Sequence, residues 1–201
     1  MEKRQTLDLQ EQLKRPLSVR FDRALVLAST LHRDQSRKAS DVPYVAHLLG
    51  VAALVLEEGG SEDVAIAALL HDAAEDQGGE EVLKEIAAAF GEEVARWVRQ
   101  ASDSFVNPKP EWESRKRHHL AEIPLADREA RLIMLADKVH NARSILADHA
   151  RVGPKTWNRF SVPRERTVWY YETLLGVFER GLSPVLYDTL SDCVKRMKEL
   201  D

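Results

Sequence analysis

The chain has 201 residues, 44% apolar and 31% charged, with 29 Lys and Arg against 33 Asp and Glu for a formal net charge of −4. That composition excludes intrinsic disorder, and the near balance of charge argues against a dedicated nucleic-acid binder, whose affinity comes from neutralising phosphates. A single cysteine, Cys193, leaves no disulfide framework and no Cys-rich zinc site, and fits a reducing, cytoplasmic compartment.

No stretch approaches the ~20 apolar residues of a membrane span. The polar start MEKRQTLDLQEQLKRP lacks the apolar centre of a secretory signal. No membrane association is therefore expected. Only 9 glycines and 8 prolines punctuate the chain, which favours long helices over many short strands.

Residues 1–17 read as an N-terminal arm, broken by Pro16, and residues 18–201 as one domain. From Ser18 the apolar positions Phe21, Leu25, Ala28 and Leu31 recur at helical spacing. Residues 34–41 read as a polar loop. Pro43 then suits the first position of a helix that runs to Glu58 and stops at Gly59-Gly60. Ser61 is a good N-cap, followed by the acidic pair Glu62 and Asp63 and an apolar run from Val64 to Leu70. That helix is expected to continue to Gly78-Gly79. Further helices are expected at 80–90 and 92–101, then a loop at 102–110 and a helix at 111–121. The longest, from Asp127 to His149, is followed by two more at 163–180 and 184–200. No strand and no repeat is evident, so the fold class is all-α.

The sharpest feature is His71-Asp72 at the end of an almost wholly apolar helix. A buried carboxylate and imidazole must be satisfied, because burying an unpaired charge is costly. A metal ion would do so, and His47 and Asp137 are two more potential ligands. The alternative is a set of capped or salt-bridged polar groups in the core. On a continuous helix His71, Asp72, Glu75 and Asp76 fall at about 0°, 100°, 40° and 140°, within one half of the cylinder. Asp137, Asn141 and Ser144 form a single polar stripe on the long helix.

Four blocks occur in order: Asp34-Gln-Ser-Arg-Lys38 with Pro43-Tyr-Val-Ala-His47, then Ala67-Ala-Leu-Leu-His-Asp-Ala-Ala-Glu-Asp76, then Phe90-Gly-Glu-Glu-Val-Ala95, then Leu135-Ala-Asp-Lys-Val-His-Asn-Ala-Arg143. Together they resemble the HD-domain phosphohydrolases. Among these, they are most similar to the hydrolase domain of the RelA/SpoT enzymes and the single-domain small alarmone hydrolases. The resemblance spans about residues 20–150.

The resemblance implies an HD-type helical bundle and one divalent metal ion, most simply Mn2+, held by His47, His71, Asp72 and Asp137. It implies hydrolysis of the 3′-pyrophosphate of ppGpp and pppGpp, giving GDP or GTP and pyrophosphate. The small-molecule nucleotide would be the only partner expected besides a further copy of the chain, which stays open. Glu75 and Asp76 follow the metal residues by one turn, close enough to orient or deprotonate the attacking water.

In the family the Arg37–Lys38 pair lines the nucleotide pocket, and Asn141 contacts ribose or base. Ser144 is a further candidate for the same pocket, and Tyr44 either packs in the core or meets the ligand. Lys116, with its neighbours Arg115 and Arg117, could reach the far phosphates, although at least two of the three read as a solvated helix face. His118 and His119 read as surface residues, His140 as a packing or hydrogen-bonding group, and Lys138 and Arg143 as outward helix charges. Trp157, Phe160, Trp169, Tyr170 and Tyr171 read as a patch where the C-terminal helices dock.

Asp76 is followed by Gln77-Gly78, a departure from the long bifunctional enzymes that leaves adenosine alarmones open. Another HD-type activity, a nucleotidase or dNTP hydrolase, is the alternative within the enzyme class. A non-catalytic metal-containing sensor is the alternative outside it, but it would be expected to lose a ligand or the Glu75-Asp76 pair.

Overall fold

The computed structural model describes residues 17–38, 40–104 and 110–201. The expected arm over residues 1–17 lies outside the described residues except for Leu17, as does most of the loop expected at 102–110.

Among the described residues there are α-helices and short 3-10 turns, and the only β pairing is an isolated bridge between Ser36 and Pro43. The helices are α1 (Val19–Leu31), α2 (Val45–Glu57), α3 (Glu62–Leu70), α4 (Ala73–Gln77), α5 (Gly79–Phe90), α6 (Glu92–Ala101), α7 (Trp112–Glu122), α8 (Arg128–Val152), α9 (Arg164–Val177) and α10 (Pro184–Glu199). No described helix is long and apolar enough to cross a membrane.

Capping follows the sequence. The Ser18 hydroxyl accepts from the Arg20 N–H at the start of α1, and the Ser61 hydroxyl accepts from the Val64 N–H at the start of α3. Every residue of α3 from Val64 to Leu70 is buried, so this helix is surrounded on all sides. It packs on α1, α2 and α6. The long α8 lies against α2, α3, α6 and α10 and is the axis of the core.

The expected single helix from Val64 to Gly78 is broken at His71-Asp72. The His71 ring takes the Ala68 carbonyl through Nδ1 at 2.8 Å, competing for the acceptor that the Asp72 N–H would use in a continuous helix. Asp72 adopts φ −95°, ψ −5°, between the helical and extended regions, where active-site residues often sit. The chain then re-enters a single turn, α4, which ends at Gly78 with φ +155°, a conformation reserved for glycine.

Three boundaries also differ. Pro43 lies in the bridge before α2 instead of at its first position, because its backbone pairs with Ser36. The helix expected to begin at Pro163 stops at Val177, where Phe178 turns extended and buries its ring, and residues 180–182 form a separate 3-10 turn. The long helix runs three residues past His149 to Val152 and ends at Gly153.

Candidate active site

Four side chains from three segments converge. His47 lies in the first turn of α2, His71 and Asp72 in the break after α3, and Asp137 in the middle of α8. His47, His71 and Asp137 are buried, with 1%, 2% and 7% exposure. One ligand atom from each lies within 4.8 Å of the others.

Asp137 Oδ1 sits 3.2 Å from His47 Nε2 and 3.9 Å from His71 Nε2. Asp72 Oδ2 sits 3.5 Å and 3.1 Å from the same two nitrogens. His71 spends its Nδ1–H on Ala68 and turns its buried Nε2 toward Asp72 and Asp137. Two imidazole nitrogens facing two carboxylates at one buried point are a donor set that fits a divalent cation.

The charges agree. Burial disfavours the charged form of His71, but Asp72 and Asp137 outweigh it and raise its pKa to about 9. Burial opposes ionisation of Asp72 too, yet the His71 and His47 rings hold its carboxyl well below the usual range. Asp137 is lowered as well, with Lys138, His47 and His71 overcoming its burial.

A ring of further contacts holds the cluster. The Tyr44 hydroxyl donates to Asp72 Oδ2 at 2.7 Å, and burial together with that carboxylate pushes the phenol pKa up. Lys138 Nζ donates to Asp137 Oδ2 at 2.7 Å. Asn141 donates to Asp137 Oδ1 and accepts from the Arg37 guanidinium, each at 2.5 Å. Arg37 also lies 5.6 Å from the Tyr44 ring centroid. His47 Nδ1 is 2.9 Å from His140 Nδ1. Burial, followed by His47 and Arg37, lowers His140 to about 4.

Glu75 and Asp76 are on α4, immediately after the break. Glu75 Oε2 accepts the Asp103 N–H at 2.9 Å, and Asp76 Oδ2 accepts from Gln35 Nε2 at 2.8 Å. Gln35 Oε1 in turn meets His32 Nδ1 at 2.7 Å and Gln77 Nε2 at 2.6 Å. The loop that carries Arg37 is thereby tied to α4. Lys38 is exposed on that loop, and Ser144 is half-buried one turn beyond Asn141.

Lys116 is half-buried, with Nζ 2.7 Å from Asp103 Oδ2 and 4.9 Å from the Tyr170 ring centroid. Burial, with Lys138 and Arg115 close by, lowers its pKa.

Three expectations are corrected. Lys138 points inward and pairs with Asp137, because α8 is enclosed on several sides and has little outward face at that level. His119 is buried at 3% exposure, since α7 presents it to the interior. Of the three basic residues on α7, only Arg117 is solvated. Arg115 and Lys116 both turn in to share the Asp103 carboxylate.

Asp103, Gln35 and Lys138 are the polar groups that sequence reasoning missed. Lys138 alone had a signal, its place beside Asp137. A cavity of about 540 Å³, lined by Arg99, Asp103, Ser104, Arg115, His118 and His119 among others, lies apart, for none of the four converging residues lines it.

The profile of the HD domain family matches residues 24–161. Guanosine-3′,5′-bis(diphosphate) 3′-pyrophosphohydrolase MESH1 of Xenopus tropicalis is 36% identical over 173 residues, covering 82% of this chain and 90% of that protein. The MESH1 of Homo sapiens is 34% identical over 172 residues, covering 84% and 89%. A solved structure described as a metazoan ortholog of SpoT that hydrolyzes ppGpp superposes with a TM-score of 0.76 at 28% identity, covering 90% of this chain and 97% of that one.

Proposed function

The chain belongs to the HD domain family, and from that premise we propose that it is a (p)ppGpp 3′-pyrophosphohydrolase, releasing pyrophosphate and leaving GDP or GTP. The observation that carries the reading is the convergence of His47, His71, Asp72 and Asp137 on one buried point, in a chain that is 36% identical to a named enzyme of that activity over 82% of this chain and 90% of that enzyme. The catalytic unit is taken as one domain over residues 18–201, acting in the cytoplasm.

His47, His71, Asp72 and Asp137 would hold one divalent cation, which we take to be Mn2+. When bound it would supply Lewis acidity and lower the pKa of water at the site.

The protein's own groups do the rest. Tyr44 fixes the Asp72 carboxylate by donating to it. Lys138 neutralises the Asp137 oxygen that faces away from the imidazoles. Glu75 and Asp76, one turn beyond Asp72, accept the proton of the attacking water. The Asp103 N–H and Gln35 amide orient them for this.

Water attacks the phosphorus bonded to the 3′ oxygen. The P–O3′ bond breaks, the nucleotide leaves with a 3′-hydroxyl, and pyrophosphate carries the oxygen of water. Arg37, held by Asn141 and lying beside Tyr44, meets the nucleotide base, with Lys38 at the rim. Asn141 and Ser144 line the ribose side, and Lys116, paired with Asp103 in this structure, would meet the distal phosphates by exchanging that partner.

The test is a substrate panel. Metal-loaded protein is incubated with ppGpp, ppApp, GTP and nucleoside monophosphates beside an Asp137→Asn control. Turnover of ppGpp, absent in the control, is expected. Turnover of monophosphates or dNTPs alone would replace the reading with another HD-type activity.

A further inference from the structure

Gln77, the residue after Asp76, closes the single turn α4 and is half-buried. Its Nε2 lies 2.6 Å from Oε1 of Gln35, on the loop that carries Arg37. Nδ1 of the buried His32 ring lies 2.7 Å from the same oxygen. An amide oxygen only accepts, so Gln77 and His32 both donate to it. The other end of the Gln35 amide, Nε2, donates to Asp76 Oδ2 at 2.8 Å. The consecutive pair Asp76-Gln77 thus grips both ends of one amide: the carboxylate takes its N–H, and the glutamine caps its oxygen.

The backbone of Gln35 is anchored separately. Its N–H donates to the His32 carbonyl at 3.1 Å, and its carbonyl accepts the Tyr44 N–H at 2.9 Å. What remains to be set is the amide at the end of a flexible side chain. A half-turn of that amide would point its NH2 at two donors and its oxygen at the Asp76 carboxylate, so all three bonds would be lost together. The His32 ring is itself stacked on the Tyr44 ring, with centroids 5.1 Å apart and planes at 15°.

We infer that Gln77 is a positioning residue: with His32 it fixes the side-chain amide of Gln35 so that Gln35 presents an N–H to the Asp76 carboxylate. The consequence for turnover rests on the proton-handling role proposed above for Asp76, whereas the orientation of the amide does not.

The experiment is steady-state hydrolysis of ppGpp by the Mn2+-loaded full chain, read as separate kcat and KM. Gln77→Met keeps the length and removes the donor. Its kcat should fall roughly 3–10-fold, the scale of one neutral hydrogen bond, with KM little changed. Gln77→Glu keeps the shape and offers an acceptor that competes with Asp76 for the Gln35 N–H, so kcat should fall further. Gln35→Met removes the bond to the carboxylate and should cost roughly 10–100-fold in kcat. In that background neither Gln77 variant should lower kcat again, because its route to Asp76 is gone. Additive losses in the double variants would overturn the inference by making Gln77 independent of Gln35. A raised KM at unchanged kcat in Gln77→Met would overturn it by placing Gln77 in substrate binding.

A second readout needs neither cation nor turnover. In the 15N-labelled, cation-free full chain, the Gln35 side-chain proton facing Asp76 should stand downfield and exchange slowly with water. Asp76→Ala should abolish both features, and Gln77→Met should speed the exchange. Unchanged exchange in Gln77→Met would overturn the orienting role of Gln77. A wild type that shows the slow proton yet leaves ppGpp intact would defeat the function reading and uphold the amide geometry.

Discussion

Cation binding at this site should be driven by pH, with His71 setting the scale. In the cation-free protein the two carboxylates raise His71 to about 9, so the ring carries a proton on Nε2 at neutral pH. A metal ion needs that nitrogen and must displace the proton. For one competing proton with a pKa near 9, apparent affinity falls roughly tenfold per pH unit below that value, or roughly 100-fold between pH 8 and pH 6. Each ion should release about one proton near pH 7.

The assay is Mn2+ titration by calorimetry at several pH values, repeated at pH 7 in two buffers of different ionisation enthalpy to count protons. The metal-free fold should respond in the opposite sense. A raised His71 pKa contributes stability that is full below the unfolded value near 6.5 and is lost as pH rises through about 9. Asp72 and Asp137, both lowered, contribute stability that is present above their unfolded values and is lost only in strong acid. Affinity that is flat from pH 6 to 8, with no proton released, would refute this account of His71.

Asp137→Asn should abolish measurable Mn2+ binding and, by leaving Lys138 buried without its carboxylate, destabilise the fold by about 3 kcal/mol in urea unfolding. Lys138→Met should destabilise the metal-free protein by a similar ~3 kcal/mol, because it strips a buried carboxylate of its partner. A change below about 0.5 kcal/mol in both would show the pair to be solvated. Glu75→Gln or Asp76→Asn should keep cation binding while turnover drops roughly 10²–10⁴-fold, and unchanged turnover in both would remove their proton-handling role. Arg37→Ala should weaken nucleotide binding about tenfold in equilibrium binding assays, the scale of one charged hydrogen bond, with the Mn2+ titration unaltered.

Much of the site could be read from the chain, and the reason is local. His71 and Asp72 interrupt a run of residues that is otherwise entirely apolar, and polarity in that setting has to be explained. Asp137, Asn141 and Ser144 announce themselves by helical spacing. The break of the helix at His71 was not legible, because it depends on the imidazole turning back to the Ala68 carbonyl instead of on any glycine or proline.

Lys138 was hidden for a different reason. On a helix enclosed on several sides a wheel diagram cannot say which charged residue turns inward, and only the packing of α8 against four other helices decides it. Asp103 lies beyond any local pattern. Its backbone N–H reaches Glu75, 28 residues earlier, and its carboxylate gathers Arg115 and Lys116 from α7.

The most direct test of the central claim is hydrolysis of ppGpp by the Mn2+-loaded protein in 18O-labelled water, with the products resolved by 31P NMR and mass spectrometry. The account predicts unlabelled GDP together with intact pyrophosphate that carries one labelled oxygen, because water attacks the phosphorus on the 3′ side and the whole pyrophosphoryl group departs. Stepwise appearance of labelled orthophosphate, or loss of phosphate from the 5′ end, would contradict it.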